Sequence, residues 1–384
     1  MKKVNYNLII AQWSVNSNDD PKTEFIELET NLSLDSPGDV CHVSVYAPVA
    51  AQGGMLEGLA AQAAGSLGLG GNAGGGAFSV QVRGNAIKYD DKITIELSSG
   101  DASDKVMTAE VQKVDSSFGI TKIVGRTGTQ KLVNTRINQV YENQTLNQIV
   151  NDFAGQAGVN IGSVDTGSTY PYLVIHESKS VWQYSRELAM REGMDIYFDT
   201  ENKLNMKKYN KTGADHTFFY GIDILDLEVF NNQMNSEHIM VYGESPASKQ
   251  GTDTWHWIAK DISPFQSEVG QGAKTQAFQD GTLRTKEAAD SLATSKYGAI
   301  SDNSTWGRLK ILGNPKVKLA DAIEIKNAEK PEMNGLFKVT SVRHILNKQD
   351  GYLAFINFTR LGGSSQAGGL LGQASKQLAG AIGI

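Results

Sequence analysis

Two blocks of short β-type runs, one in each half of the chain, are the feature that most constrains its fold. The runs are rich in β-branched and aromatic side chains, and clusters of Gly, Asn, Asp and Ser separate them, which is the pattern of strands joined by turns. In the first block they cover 5–13, 24–32, 40–46, 78–83, 92–97, 106–114 and 120–124. Short strands at this spacing predict a β-barrel or a β-sandwich.

The second block has the same character but is interrupted. Its runs cover 216–220, 224–230 and 238–242, and then 307–312, 322–325, 336–346 and 353–361. A polar stretch with little periodicity lies between the two groups and contains one predicted helix, 286–297. This pattern predicts a second barrel that is interrupted by an insertion.

Between the two blocks the hydrophobic spacing changes to that of helices. Apolar residues recur every three or four positions in Leu146–Ala157 and in Val181–Glu192. Each segment has a capping box before it and a glycine after it, Thr145 with Gln148 and Gly158, then Ser180 with Gln183 and Gly193. A hairpin over 195–209 follows, so this part is predicted to be a small α/β module.

Charge and composition exclude several classes of function. The 384 residues contain 36 Lys or Arg against 42 Asp or Glu, and this balance argues against duplex DNA as a specific partner. The single cysteine, Cys41, excludes a disulfide framework. Six histidines are scattered, and the sequence has no P-loop, HExxH, CxxC or GxSxG motif. We therefore expect no enzymatic activity, no metal and no cofactor.

Neither a signal peptide nor a membrane-spanning helix is predicted. The apolar run 8–11 is short for a signal sequence, and no run of about 18 apolar residues occurs. The expectation is a protein made in the cytoplasm, with no stable membrane span.

Two segments, 49–77 and 362–384, consist largely of Gly and Ala and carry one charge each. One interpretation is a mobile loop and a mobile tail. The other is that both order against a partner, because they carry apolar side chains that a pure linker would lack. The candidate partner-binding residues are Met55, Leu56, Leu59 and Leu67 in the insertion, and Leu370, Leu371, Ala374, Leu378 and Ile382 in the tail.

Two stretches are basic. Residues 116–141 contain no acid but include Lys122, Arg126, Lys131 and Arg136, which we predict lie at a subunit or tube contact. Residues 307–361 contain ten Lys or Arg against five Asp or Glu. Such an excess is typical either of a solvated face or of contact with an acidic partner or neighbouring subunit.

Several motifs, in a fixed order, carry a resemblance to a known family. They are Leu146-Asn-Gln-Ile149-Val150, Ser180-Val-Trp182-Gln-Tyr184-Ser-Arg-Glu-Leu188-Ala189, Glu192-Gly193-Met194-Asp-Ile196-Tyr-Phe198, Gly313-Asn-Pro315 and Gly335-Leu-Phe337-Lys-Val339-Thr-Ser-Val342-Arg-His344. This order resembles the late control protein D family, the baseplate hub proteins of contractile phage tails, and the hub portion of type VI secretion spike proteins. The resemblance covers 138–361 by motif and the first 137 residues by strand pattern.

The resemblance implies an α+β, mainly β fold with two tandem β-barrel domains. The first barrel would be 1–137 with the insertion 49–77, and the second would be 214–245 plus 307–361. The small α/β module would be 138–213, the insertion with a helix 246–306, and the tail 362–384. Three copies would present six barrels as a pseudo-sixfold ring.

The function implied is a structural one. The ring would adapt a sixfold tail tube to a trimeric spike and surround a central channel, in the baseplate of a phage tail, a type VI apparatus or an extracellular injection particle. Expected partners are two further copies of the chain, a separate spike protein, a tail tube or tube-initiator protein, other baseplate proteins, and tape-measure or cargo protein in the lumen. The alternatives are a cell-wall polysaccharide hydrolase of the baseplate and a carbohydrate-binding β module.

Overall fold

The structure is a computed structural model that describes residues 3–18, 25–46, 79–82, 85–117, 119–243, 266–281, 283 and 285–361. Within these residues strands predominate, so the predicted mainly β character is confirmed. The strands of the first half are β1 (Val4–Ile10), β2 (Trp13–Asn16), β3 (Phe25–Ser33), β4 (Val40–Tyr46), β5 (Ser79–Val82), β6 (Asn85–Lys88), β7 (Lys92–Ser99), β8 (Ala102–Ser117) and β9 (Ile120–Arg126).

A small α/β module follows β9, and its two predicted helices are confirmed to the residue. Its elements are α1 (Thr129–Asn134), β10 (Gln139–Thr145), α2 (Leu146–Ala157), β11 (Ile161–Val164), β12 (Thr169–Ile175), α3 (Val181–Glu192), β13 (Met194–Phe198) and β14 (Leu204–Lys208). Strands β11, β14 and β13 form a three-stranded sheet, and β10 pairs with β12. The short helix α1 was not predicted.

The remaining elements return the chain to β structure. They are β15 (His216–Phe219), β16 (Ile224–Asn231), β17 (His238–Gly243), β18 (Gln266–Gly270), β19 (Thr275–Asp280), α4 (Lys286–Asp302), β20 (Thr305–Leu312), β21 (Ala322–Lys326), the 3₁₀ turn Pro331–Met333, β22 (Gly335–Asn347) and β23 (Gly351–Arg360). Helix α4 continues to Asp302, beyond its predicted end at 297.

One thirteen-stranded sheet unites strands from both halves of the chain. Its order is β16-β20-β23-β22-β3-β4-β9-β8-β7-β1-β2, with β21 on β22 and β15 on β21. The two halves meet where β3 pairs antiparallel with β22, from Ser33 opposite Ser341 to Glu27 opposite Asn347. We call this pairing the seam. The division of the sheet into two barrels stays a prediction.

The hydrophobic core is continuous across the seam. A single cluster of buried side chains contains Leu28 and Ile123 from the first half together with Ile323 and Phe358 from the second. The module has a separate core around Phe153 and Phe198. Because burial of apolar surface is the main favourable term in folding, the two halves of the sheet stabilise each other.

The assignment of 238–242 to the second barrel is corrected by the strand pairing. Strand β17 lies between β18 and β19 in a separate three-stranded sheet. Its inward side chains Ile239 and Val241 pack with Leu292 and Ala293 of α4 in a third core. The apolar face of α4 packs against this sheet, so β17 belongs with the insertion and its helix.

The cap of α3 offers a local test of helix stability. Ser180 Oγ accepts a hydrogen bond from the Gln183 amide at 3.2 Å, and the Gln183 side chain accepts one from the Ser180 amide at 2.8 Å. Replacing Ser180 by alanine should lower the free energy of unfolding by about 1 kcal/mol in a urea titration. Ser178→Ala, on the exposed approach to the helix, is the control and should change it by less than about 0.5 kcal/mol. Equal losses in the two variants would contradict the role of the cap.

Candidate interaction surfaces

The seam brings charged and polar side chains from both halves onto the outer face of the large sheet. Arg343 Nε lies 2.7 Å from Glu29 Oε1, and Ser341 Oγ donates to Asn31 Oδ1 at 3.2 Å. Arg343 also lies over the ring of Phe355, with its guanidinium carbon 5.8 Å from the ring centroid. These contacts join the two halves on the solvent side, opposite the continuous core.

A polar pair lies inside the core beside the seam. His344 of β22 is almost completely buried and its Nδ1 lies 2.9 Å from the hydroxyl of Tyr352. Burial disfavours the charged imidazolium and lowers the pKa of His344 to about 4. The ring is therefore neutral at physiological pH, and its contacts are those of a core residue.

Strand β16 forms one end of the large sheet and pairs on one side only, with β20, among the described residues. Exposed apolar side chains cluster where β16 begins. Ile222 is 78% exposed, Leu225 53% and Tyr220 41%. Leu312, which is 59% exposed, follows Ile311, the partner of Ile224 on β20. We call Tyr220, Ile222, Leu225 and Leu312 the β16 patch. An open strand edge beside exposed apolar surface is a ready site for pairing with another chain.

The four residues predicted as a basic contact differ in their exposure and in their partners within the chain. Lys122 and Arg136 are exposed, whereas Arg126 is half-buried. Lys131 Nζ makes an ion pair with Glu110 Oε1 at 2.6 Å, and Arg136 Nη1 donates to the Val133 carbonyl at 2.7 Å. Two of the four side chains thus have partners within the chain, and the predicted subunit or tube contact stays a prediction for all four residues.

Much of the positive charge of 307–361 is balanced by acids from elsewhere in the chain. The pairs are Arg308 with Glu228, Lys318 with Asp104, Lys338 with Asp195 and Arg343 with Glu29. The Lys338–Asp195 pair is 2.5 Å long and nearly buried, and it links the sheet to the module. The excess of positive charge in 307–361 is therefore offset in part by ion pairs within the fold, and that part is not free to bind an acidic partner.

Sequence reasoning missed the loop between β3 and β4, residues 34–39, which joins the large sheet to the module. The Asp35 amide donates to the Ile196 carbonyl at 3.0 Å, and the Ile196 amide donates to Asp35 Oδ1 at 3.2 Å. On the sheet side, the Leu34 amide donates to the Thr340 carbonyl at 2.9 Å. No motif marks these residues, because their partners lie far away in sequence.

The same loop places a buried carboxylate at the start of the module. Asp39 Oδ1 accepts from the Ser33 amide at 2.9 Å, and Oδ2 accepts from the hydroxyls of Thr127 and Thr129 at 3.3 and 3.4 Å. Thr127 directly follows β9, and Thr129 is the first residue of α1. All three donors are neutral. Burial without a cation raises the pKa of Asp39 to about 7.

A cleft of about 320 Å³ lies between the module and the large sheet. Lys207, Lys211, Asp195 and Asp321 are among its lining residues. Lys211 Nζ lies 2.9 Å from Asp321 Oδ1, and Asp195 pairs with Lys338. The charged groups of the cleft are therefore largely engaged in ion pairs that hold the two units together.

Metal and membrane features can be reported for the described part of the chain. It contains no group of three or more His, Cys, Asp or Glu side chains arranged to hold a metal ion. None of its helices combines the length and apolar character that crossing a membrane requires. The insertion residues Met55, Leu56, Leu59 and Leu67 and the tail residues Leu370, Leu371, Ala374, Leu378 and Ile382 lie outside the described residues.

Comparison with solved structures identifies the fold. A 43 kDa tail protein of prophage MuSo2 from Shewanella oneidensis superimposes with a TM-score of 0.65 at 14% identity, over 93% of this chain and 98% of that chain. A tail protein from Neisseria meningitidis MC58 gives a TM-score of 0.65 at 10% identity, over 95% and 99%. The fold is that of phage tail proteins.

A third similar structure comes from a secretion system. The Escherichia coli c3393 protein, described as a component of the type VI secretion system with structural similarity to the T4 tail proteins gp27 and gp5, gives a TM-score of 0.52 at 8% identity, over 92% of this chain and 77% of that chain. No protein-family model and no curated protein sequence matches the chain. The predicted resemblance to tail and type VI spike-related proteins is thus confirmed at the level of fold.

Proposed function

We propose that the chain is a structural hub of the baseplate of a phage tail or contractile injection system. The observation that carries the proposal is the likeness of nearly the whole chain to two tail proteins, over at least 93% of this chain and 98% of theirs. The single sheet and continuous core support it, because a hub must transmit load between its two halves without separating them.

In this role three copies form a ring that joins the tail tube above to the spike below. A heterologous contact repeated around a threefold axis closes a ring and leaves no free surface of the same kind. The β16 patch has the properties of one side of such a contact, since it combines an open strand edge with exposed apolar side chains. Further contacts to subunits, tube, spike or lumen protein are proposed for the segments 49–77 and 362–384 and for the basic residues Lys122, Arg126, Lys131 and Arg136.

Assembly of the purified chain tests both the hub and the patch. Light scattering coupled to gel filtration should give a trimer, alone or on addition of tube and spike protein. The double variant Ile222→Asp with Leu225→Asp should weaken trimer formation by on the order of 100-fold, because it removes two apolar contacts worth roughly 1.5 kcal/mol or more each. Circular dichroism should be unchanged, since both side chains are exposed.

A matched control lies on the module. Tyr172 and Val174 are 59% and 54% exposed on β12, and Tyr172→Asp with Val174→Asp should leave the trimer intact. Equal assembly of the two double variants would show that the β16 patch is not the contact. A chain that stays monomeric at high concentration with tube and spike protein present would refute the hub.

A further inference from the structure

The connection between the large sheet and the module contains two carboxyl groups that the proposed hub function does not use. Asp35 and Asp39 stand at opposite ends of the β3–β4 loop, residues 34–39. Asp35 holds β13 of the module through its amide and its carboxylate, and its φ of 54° places it in the left-handed region. Asp39 holds the connection between β9 and α1 through two hydroxyls. The loop therefore forms hydrogen bonds with the module at two separate points, β13 and the start of α1.

The surroundings of the two carboxyl groups differ in charge. Asp39 faces the backbone amide of Ser33 and the hydroxyls of Thr127 and Thr129. Its side chain is closed off from solvent, at 2% exposure for the residue. Asp35 faces the like charge of Asp195 and the positive charges of Lys338 and Arg186. Of the two carboxyl groups, only Asp35 thus has cations beside it, and these stabilise its ionised form.

We propose that the β3–β4 loop is a proton-operated latch between the large sheet and the module, closed when the Asp39 carboxyl is neutral and loosened when it ionises. A neutral carboxyl at this position accepts from the Ser33 amide and donates its own proton to one of the two threonine hydroxyls, so it stays hydrogen-bonded and costs little to bury. An ionised carboxylate has only neutral donors around it and loses its hydration without gaining a cation, and opening of the loop restores that hydration.

The direction of the pH effect follows from the two pKa values of Asp39. Its pKa is near 4 when the loop is open to water and about 7 when the loop is closed. The closed form therefore binds the proton more tightly, and closure is strongest below pH ~4 and weakens as the pH rises toward ~7. Desolvation also raises the pKa of Asp35, with the Asp195 charge adding to it, so both ends of the loop respond in the same direction.

Hydrogen exchange on the full-length chain tests the latch. Protection factors, corrected for the pH dependence of intrinsic exchange, are measured for peptides covering 34–39 and 127–134 between pH 4.5 and 7.5. In the unmodified chain protection should fall by about tenfold per pH unit up to pH ~6.5 and level off above ~7. In Asp39→Asn, whose side chain is always neutral, only Asp35 remains to titrate at the loop, so the profile should be much shallower than in the unmodified chain.

Two further variants distinguish an effect of protonation from a purely structural effect. Thr129→Val removes one donor from the carboxylate, so the fall in protection should extend to higher pH, whereas a merely structural role would lower protection equally at every pH. Asp199 also accepts three hydrogen bonds but is only partly buried, and Asp199→Asn should keep the profile of the unmodified chain. A flat profile in the unmodified chain, or an unchanged slope in Asp39→Asn, would overturn the latch. If Asp39→Asn does not fold, the Thr129→Val profile decides.

Discussion

Replacing Val342 by aspartate should destabilise the whole large sheet by about 4 kcal/mol or more. Val342 lies on β22 between Leu32 of β3 and Ile356 of β23, and all three side chains are buried. A carboxylate there has no partner and no water. Since the core continues across the seam, the loss should appear as a lower midpoint of one cooperative urea transition, followed by far-ultraviolet circular dichroism.

The neighbouring position on the same strand supplies the control. Arg343 points to the outer face and forms a half-exposed ion pair with Glu29, so Arg343→Ser should cost less than about 1 kcal/mol. If the Val342→Asp chain instead melted in two steps, with the first-half strands surviving, the halves would be independent domains and the single core would not govern unfolding.

The contributions of His344 and Asp39 to the pH dependence of stability should nearly cancel between pH 4 and 6.5, because the two buried groups oppose each other. The pKa of His344 is lowered from 6.5 to about 4, so its contribution is present above pH 6.5 and is lost as the pH falls. The pKa of Asp39 is raised from 3.8 to about 7, so its contribution is present below pH ~4 and is lost as the pH rises. Each changes stability by about 1.4 kcal/mol per pH unit in this window, with opposite sign.

A variant that removes one of the two groups should expose the pH dependence of stability that the other group contributes. In His344→Gln the free energy of unfolding should fall by about 3 kcal/mol from pH 4 to 6.5, and in Asp39→Asn it should rise by a similar amount. The double variant should return to the pH dependence of the unmodified chain. The measurement is a urea titration at several pH values across the window. A His344→Gln profile that matches the unmodified chain would contradict the assignment of a neutral buried histidine.

The ends of helices α2 and α3 could be predicted to the residue because the capping residues that set them are their immediate neighbours in sequence. Thr145 and Ser180 lie three residues before the glutamine amides that they cap, and Gly158 and Gly193 end the helices with φ values of 67°. Such geometry depends on a few consecutive residues, and the sequence displays all of them. The short helix α1 lacks a side-chain cap, and it was not predicted.

What the sequence could not predict depends on partners far away in the chain. The sequence of strand β17 resembles those of its neighbours β15 and β16, but its partners β18, β19 and α4 lie 20 or more residues further along the chain. The basic excess of 307–361 is visible in sequence, but the acids that balance it, such as Asp195 and Asp104, become neighbours only after folding. Asp39 carries no motif at all, because its environment is made by Thr127 and Thr129, some 90 residues away at the junction of β9 and α1.

The seam also has a consequence for the order of events during synthesis. Strand β3 is translated early, but its partner β22 follows some 310 residues later. At about 5–20 residues per second, the ribosome needs roughly 15–60 s to supply it. For that interval β3 has an open edge toward β22, able to pair with the same strand of another nascent chain. The period in which this protein is most vulnerable to misassembly is therefore set by the spacing of two strands along the messenger, and slow translation of the intervening residues would lengthen it.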